Sequence, residues 1–158
     1  MVTRKKAIIA LLELVIVAVL LLYALAPRSL ERATGGAYDR AAVTAVTVEM
    51  TAANESVDEQ DHTLRLVPGT AECDGLLDIL ERRYTPYYLD TNWEENIRSY
   101  AVVITITTDS GECTVSFTEN DPIRMTSTAL DHPKTYRIWK GTFQGETLSY
   151  LLELERKN

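Results

Sequence analysis

The sequence is poor in the side chains that build metal sites and common catalytic centres. It has only two cysteines and two histidines among 158 residues. Cys73 and Cys113 stand 40 positions apart with neither histidine near them, whereas zinc ligands usually come at short Cys or His spacings. The G-x-S-x-G motif of serine hydrolases is absent. We therefore expect no metal, no cofactor and no enzyme activity.

Positive charge is also scarce. Without the first 26 residues the chain keeps 13 basic and 22 acidic residues, a net charge of −9. Such a surface disfavours nucleic acid and anionic lipid head groups as partners. The remaining 132 residues suffice for one domain with its own core.

One long apolar run is present, over residues 7–26, and Glu13 is its only polar member. About 20 apolar residues span a bilayer as a helix. Basic residues at positions 4–6 predict that residues 1–6 stay in the cytoplasm and that everything after Ala26 lies outside the cell membrane. Residues 24–26, Ala-Leu-Ala, resemble a signal-peptide cleavage site, but the length of the run and Pro27 favour an uncleaved single-pass anchor.

Glu13 has three interpretations. Its carboxylate can reach back toward Lys5 or Lys6, or it can associate helices through a hydrogen bond in lipid. The third comes from a resemblance: "ALLELVIVAVLL", within residues 6–26, resembles the N-terminal helix of type IV pilin-like proteins, in which one glutamate pairs with a neighbouring subunit. Ile8 stands where that family has a glycine. The resemblance implies a subunit of a secretion or pilus machine.

The remainder predicts an α+β domain. Residues 27–41 are polar with a Gly-Gly break and are interpreted as a stalk, followed by the domain over 42–158. Alternating segments predict about six antiparallel strands, with a hairpin at Asp109-Ser110-Gly111. Thr70 is placed to cap a helix that runs to about Arg83. The two predicted helices carry apolar stripes and should pack on one face of the sheet, forming two layers. These stripes are Leu76, Leu77 and Leu80, and Leu148, Leu151 and Leu152.

Two parts of the sequence resemble each other. "RLVPGTAECDGLLDILE" from Arg65 matches "RIWKGTFQGETLSYLLE" from Arg137, and "VEMT" from Val48 matches "IRMT" from Ile123. Convergence of two strand–turn–helix segments is one explanation. A duplicated strand–strand–helix unit is the other, and we favour it.

Cys73 and Cys113 are both predicted to face the core, the first from a helix and the second from a strand. Outside the cytoplasm they can form a disulfide across the core. The alternative is a pair of buried thiols that pack as small apolar side chains.

Two surfaces are candidates for binding. The outward face of the predicted sheet is rich in threonine and carries Arg65, Arg124, Arg137 and Trp139, which suit carboxylates or a peptide edge; the alternative is an ordinary solvated face. An aromatic insert holds Tyr84, Tyr87, Tyr88 and Trp93, which either contact a partner or cover the open end of the core.

These observations predict a membrane-anchored, extracytoplasmic binding or assembly module that is not an enzyme and has a protein partner. A pilin-like subunit is the first alternative, and a cell-surface enzyme is the second.

Overall fold

The computed structural model describes residues 2–52, 62–88, 100–118, 122–138 and 142–157. Its first element is helix α1, Val2–Leu25. The window Ile8–Leu25 has a mean hydropathy of 3.0, and none of it is buried. By length and composition this helix can cross a membrane. It is not a core helix of the domain, because the buried apolar core begins at Leu30.

The prediction of an α+β domain is confirmed, with one antiparallel sheet of seven strands. The additional strand is β3, Thr85–Pro86, which the aromatic insert contributes to the edge of the sheet. The sheet order is β2-β1-β4-β5-β6-β7-β3. The other strands are β1 Val43–Ala52, β2 His62–Leu66, β4 Tyr100–Thr108, β5 Gly111–Thr118, β6 Ile123–Ser127 and β7 Lys134–Arg137.

Strand alternation places one face of the sheet in the core, as predicted. Buried side chains recur at every second position of the central strands β4 and β5. The apolar residues on this face include Val102, Ile104, Ile106, Cys113, Val115 and Phe117. The opposite face consists mainly of half-buried and exposed polar side chains.

Three helices of the domain contribute side chains to the core: α2 Leu30–Ala33, α3 Ala71–Leu80 and α4 Phe143–Lys157. The N–H of Cys73 donates to the Thr70 hydroxyl at 3.4 Å, so Thr70 caps α3 as expected. The helix ends at Leu80, three residues before the predicted end. It ends there because the next residues turn toward β3, where the Tyr84 hydroxyl donates to the Leu80 carbonyl.

The predicted apolar stripe of α4 is only partly correct. Leu151 is fully buried, whereas Leu148 and Leu152 are half-buried. The buried face consists of Phe143, Thr147, Leu151 and Leu154. Phe143 fixes this rotation of the helix, since its ring makes edge contacts with Phe117 and Tyr84 at centroid distances of 5.4 and 6.2 Å.

The internal repeat has a structural counterpart in the strands. Val48 pairs with Leu64 in the first hairpin, and Ile123 pairs with Tyr136 in the second. These are the positions that the sequence match equates, so both hairpins have the same register. The helices depart from this equivalence, because α3 buries Leu76 and Leu80 whereas their counterparts in α4 are half-buried.

The prediction that residues 27–41 form a stalk is wrong. Leu30 and Ala33 are 2% and 0% exposed and belong to the core. The carbonyls of this segment accept hydrogen bonds from Tyr136 at 3.0 Å, from Ser127 at 2.6 Å and from Thr108 at 2.8 Å. A solvated linker would have none of these partners, so the domain begins almost immediately after α1.

Candidate functional site

The outward face of the sheet is rich in threonine, as predicted. One cross-strand row runs through Arg65, Thr47, Thr105, Thr114 and Thr126 on five neighbouring strands. The three central threonines of this row are half-buried by their neighbours, and Arg65 is exposed at the end of the row.

Arg124 and Arg137 lie together on this face. Arg124 pairs with Thr135 on β7, and Arg137 stands two residues further along that strand, so the two arginines are diagonal neighbours. Such positions have Cα atoms about 7–8 Å apart. Both side chains are exposed. We call Arg124, Arg137 and the tyrosine described next the arginine cluster.

Tyr87, which the sequence analysis assigned to the aromatic insert, is the third member of the cluster. The guanidinium of Arg137 lies over its ring, 4.0 Å from the centroid. The Tyr87 N–H donates to the Thr135 carbonyl at 2.9 Å, which fixes the backbone beneath the arginine. A cation above an aromatic face contributes roughly 0.5–1 kcal/mol at an exposed site. The stacking holds the planar fork of Arg137 in a defined orientation.

Arg65 and Trp139 do not join this cluster. Arg65 lies on β2, five strand positions from β7, which corresponds to about 24 Å at the usual strand spacing. Trp139 lies outside the described residues. The structure therefore brings together two of the three predicted arginines.

Tyr84 of the aromatic insert takes the predicted role of covering the core, and the predicted partner contact stays a prediction. Tyr84 is fully buried and contacts Tyr136 edge-on at a centroid distance of 6.1 Å, so it covers the core. Tyr88 is 70% exposed, and its hydroxyl donates to the Ala24 carbonyl near the end of α1 at 3.1 Å. Trp93 lies outside the described residues.

An open polar groove of about 650 Å³ borders the helix layer, and sequence reasoning missed it. Arg40 reaches across it to Asp78 at 2.6 Å and to Glu81 at 3.0 Å. The Tyr38 hydroxyl donates to Glu81 at 2.7 Å. Burial raises the pKa of Tyr38, so it remains a neutral donor. These groups satisfy one another and connect residues 38–40 to α3, which gives the groove a structural role.

Cys73 and Cys113 are both fully buried and free. The disulfide is not formed in the structure, which agrees with the alternative of two buried thiols. Burial raises the pKa of Cys113 to about 12 and also raises the pKa of Cys73. Neither thiol therefore has the lowered pKa of a reactive nucleophile.

The two histidines lie in different surroundings. His62 Nδ1 is 2.5 Å from a Glu155 carboxylate oxygen, in a contact that joins β2 to the end of α4. His132 is exposed in the turn before β7. Among the residues that the structure describes, no group of three His, Cys, Asp or Glu side chains is arranged to hold a metal ion.

Glu13 is exposed on α1, six residues into the 18-residue window. The pilin-like resemblance stays a hypothesis. The helix that carries it ends at Leu25, and the following residues turn into the domain.

Comparison of the chain with protein-family models gives no match, and searches of curated proteins and of solved structures give none either.

Proposed function

We propose that this chain is a membrane-anchored binding or assembly module. α1 crosses the cell membrane once, residues 1–6 lie in the cytoplasm, and the α+β domain on the other side binds a protein partner through the arginine cluster. The supporting observation is that the chain consists of two separate parts, an apolar helix and a folded domain. An apolar helix with no buried residue in its spanning window precedes a domain whose core closes without it.

The orientation is supported by the charges beside the span. The six residues before Ile8 hold three basic side chains, and the six residues after Leu25 hold one. Basic residues close to a span are retained on the cytoplasmic side.

The arginine cluster supports the binding role. Two exposed arginines occupy diagonal positions on neighbouring strands of the outward face, and one of them is oriented by Tyr87. Arginine forks bind carboxylates with two parallel hydrogen bonds. The proposed partner is a protein that presents an acidic segment, and the positive charge of the cluster stands out in a domain of net charge −9.

The anchor is tested by alkaline carbonate extraction of membranes that contain the full chain. Wild type should remain in the membrane pellet, and Leu14→Arg with Val17→Arg should release the chain, because each arginine in the middle of a span costs about 2.5–3.5 kcal/mol. Leu14→Ala with Val17→Ala is the matched control. An impermeant protease added to sealed cells should remove a C-terminal tag and spare an N-terminal one. Extraction of wild type by carbonate would refute the anchor, and the opposite protection pattern would refute the orientation.

The binding face is tested by affinity purification of the tagged full chain from solubilised membranes of its own host, with quantitative mass spectrometry. Proteins captured by wild type should be recovered about tenfold less with Arg124→Ala plus Arg137→Ala, since interface arginines commonly contribute more than 1 kcal/mol each. The control, Arg32→Ala plus Arg156→Ala, removes the same charge from helices α2 and α4. Equal recovery by all three proteins at equal melting temperature would rule out the cluster and leave the anchor unaffected.

A further inference from the structure

The connection between α1 and the domain has almost no free length. α1 ends at Leu25, and three residues later Arg28 exchanges two backbone hydrogen bonds with Tyr84, both at 2.8 Å. Three extended residues cover at most about 11 Å. Because Leu30 is already buried in the core, the chain cannot lengthen this connection without opening the domain.

That length is comparable to the thickness of the lipid head-group layer. A bilayer has a hydrocarbon core of about 30 Å and measures about 40–45 Å with its head groups, which leaves roughly 5–8 Å for the polar layer on each side. If Leu25 ends the span at the hydrocarbon boundary, Arg28 and its partner Tyr84 lie at or just above the lipid phosphates.

The side chains at this position suit that layer. Tyr23 and Tyr88 are 76% and 70% exposed. The Tyr88 hydroxyl donates a hydrogen bond to the Ala24 carbonyl in the last turn of α1. Tyrosines are enriched where a span meets the head groups. The half-buried Arg28 side chain hydrogen-bonds to Tyr136, whereas Arg83, next to the backbone pairing of Arg28 with Tyr84, is exposed. Guanidinium forks bind phosphate oxygens.

We propose that residues 85–88, together with Arg83, form a membrane-seating edge that contacts the phosphates of the lipid head-group layer. The inference rests on the proposed anchoring of α1. β3 lies at one edge of the sheet and β2 at the other, six strand positions or about 29 Å away. If the β3 edge rests on the membrane, the outward face of the sheet stands roughly perpendicular to the membrane surface. This orientation directs the arginine cluster toward partners that also lie close to the membrane.

The experiment places the full chain in phosphatidylcholine nanodiscs, with bimane attached at Arg83→Cys, Thr85→Cys or Thr63→Cys in separate variants. Part of the lipid then carries a nitroxide quencher on its head group. Fluorescence from positions 83 and 85 should fall several-fold more than fluorescence from position 63, which lies on β2 at the far edge. The unsubstituted chain controls for labelling, because Cys73 and Cys113 are fully buried.

Equal quenching at positions 63 and 85 would overturn the seating edge. If Arg83→Cys fails to fold, the comparison of Thr85→Cys with Thr63→Cys is sufficient. Charge reversal tests the phosphate contact. Arg83→Glu should reduce quenching at position 85, whereas Arg156→Glu, at the far end of α4, should not. Unchanged quenching with Arg83→Glu would overturn the role of Arg83. A chain that leaves the membrane in carbonate refutes the anchor itself, whereas an anchored chain with no quenching at position 85 refutes only this inference.

Discussion

Replacement of Leu30 by alanine tests the finding that the chain folds into the domain directly after the span. Leu30 is 2% exposed and lies in the one-turn helix α2. Truncation of a buried leucine to alanine costs about 2–5 kcal/mol, because transfer free energy is lost and a cavity remains. A leucine in a solvated stalk would change stability by only about 0.5 kcal/mol or less.

The corresponding shift in melting temperature is large enough to measure. In a domain of this size the melting temperature falls by about 3–4 °C for each kcal/mol lost from the free energy of unfolding. Leu30→Ala should therefore lower the melting temperature by roughly 6–20 °C. Val67→Ala is the control, since Val67 is 65% exposed and the substitution also removes apolar volume. Both variants are measured as full chains in detergent micelles by thermal unfolding followed with near-ultraviolet circular dichroism. If Leu30→Ala melts within about 2 °C of Val67→Ala, on the order of the shift allowed for an exposed site, residues 27–41 are a stalk and the description of the domain boundary is wrong.

Two further experiments test the contact between α3 and α4 and the burial of Cys113. Gly75 lies where a Cβ would come within 2.3 Å of the Tyr150 hydroxyl oxygen, so Gly75→Ala should lower the free energy of unfolding by about 1–3 kcal/mol despite the better helix propensity of alanine. Tyr150→Phe in the same chain should recover part of this loss in urea unfolding, and an additive double variant would show that the two residues are not in contact. Burial raises the pKa of Cys113 to about 12, so above about pH 9 the unfolded thiol ionises while the folded thiol stays protonated. The free energy of unfolding should then fall with rising pH by up to about 1.4 kcal/mol per unit. Cys113→Ala should flatten this slope between about pH 9 and 10.5 under reducing conditions, and parallel curves for the two proteins would contradict the shift.

The candidate site was only partly predictable. Alternation along β6 and β7 correctly placed Arg124 and Arg137 on the outward face, because side-chain direction in a strand follows from position alone. Alternation says nothing about the order of strands in the sheet, so the distance of Arg65 from this pair could not be anticipated. Tyr87 was seen as part of an aromatic loop, but its place beneath Arg137 depends on the pairing of β3 with β7.

The sequence by itself determined the features that depend on consecutive residues. The length and composition of residues 7–26 specify a helix able to cross a membrane, and the alternation of the strands selects the buried face of the sheet. The sequence match that equates Val48 with Ile123 also equates positions that occupy the same register in the two hairpins.

The tertiary structure alone decided which polar segments belong to the core. The Tyr136 hydroxyl, which donates to the Ala33 carbonyl, lies 103 positions further along the chain. Helix α2 is a single turn, which is too short to show a hydrophobic period in the sequence. The rotation of α4 was likewise set by the contacts of Phe143 with rings on other elements. Such contacts depend on which elements become neighbours, and short-range patterns in the chain do not contain that information.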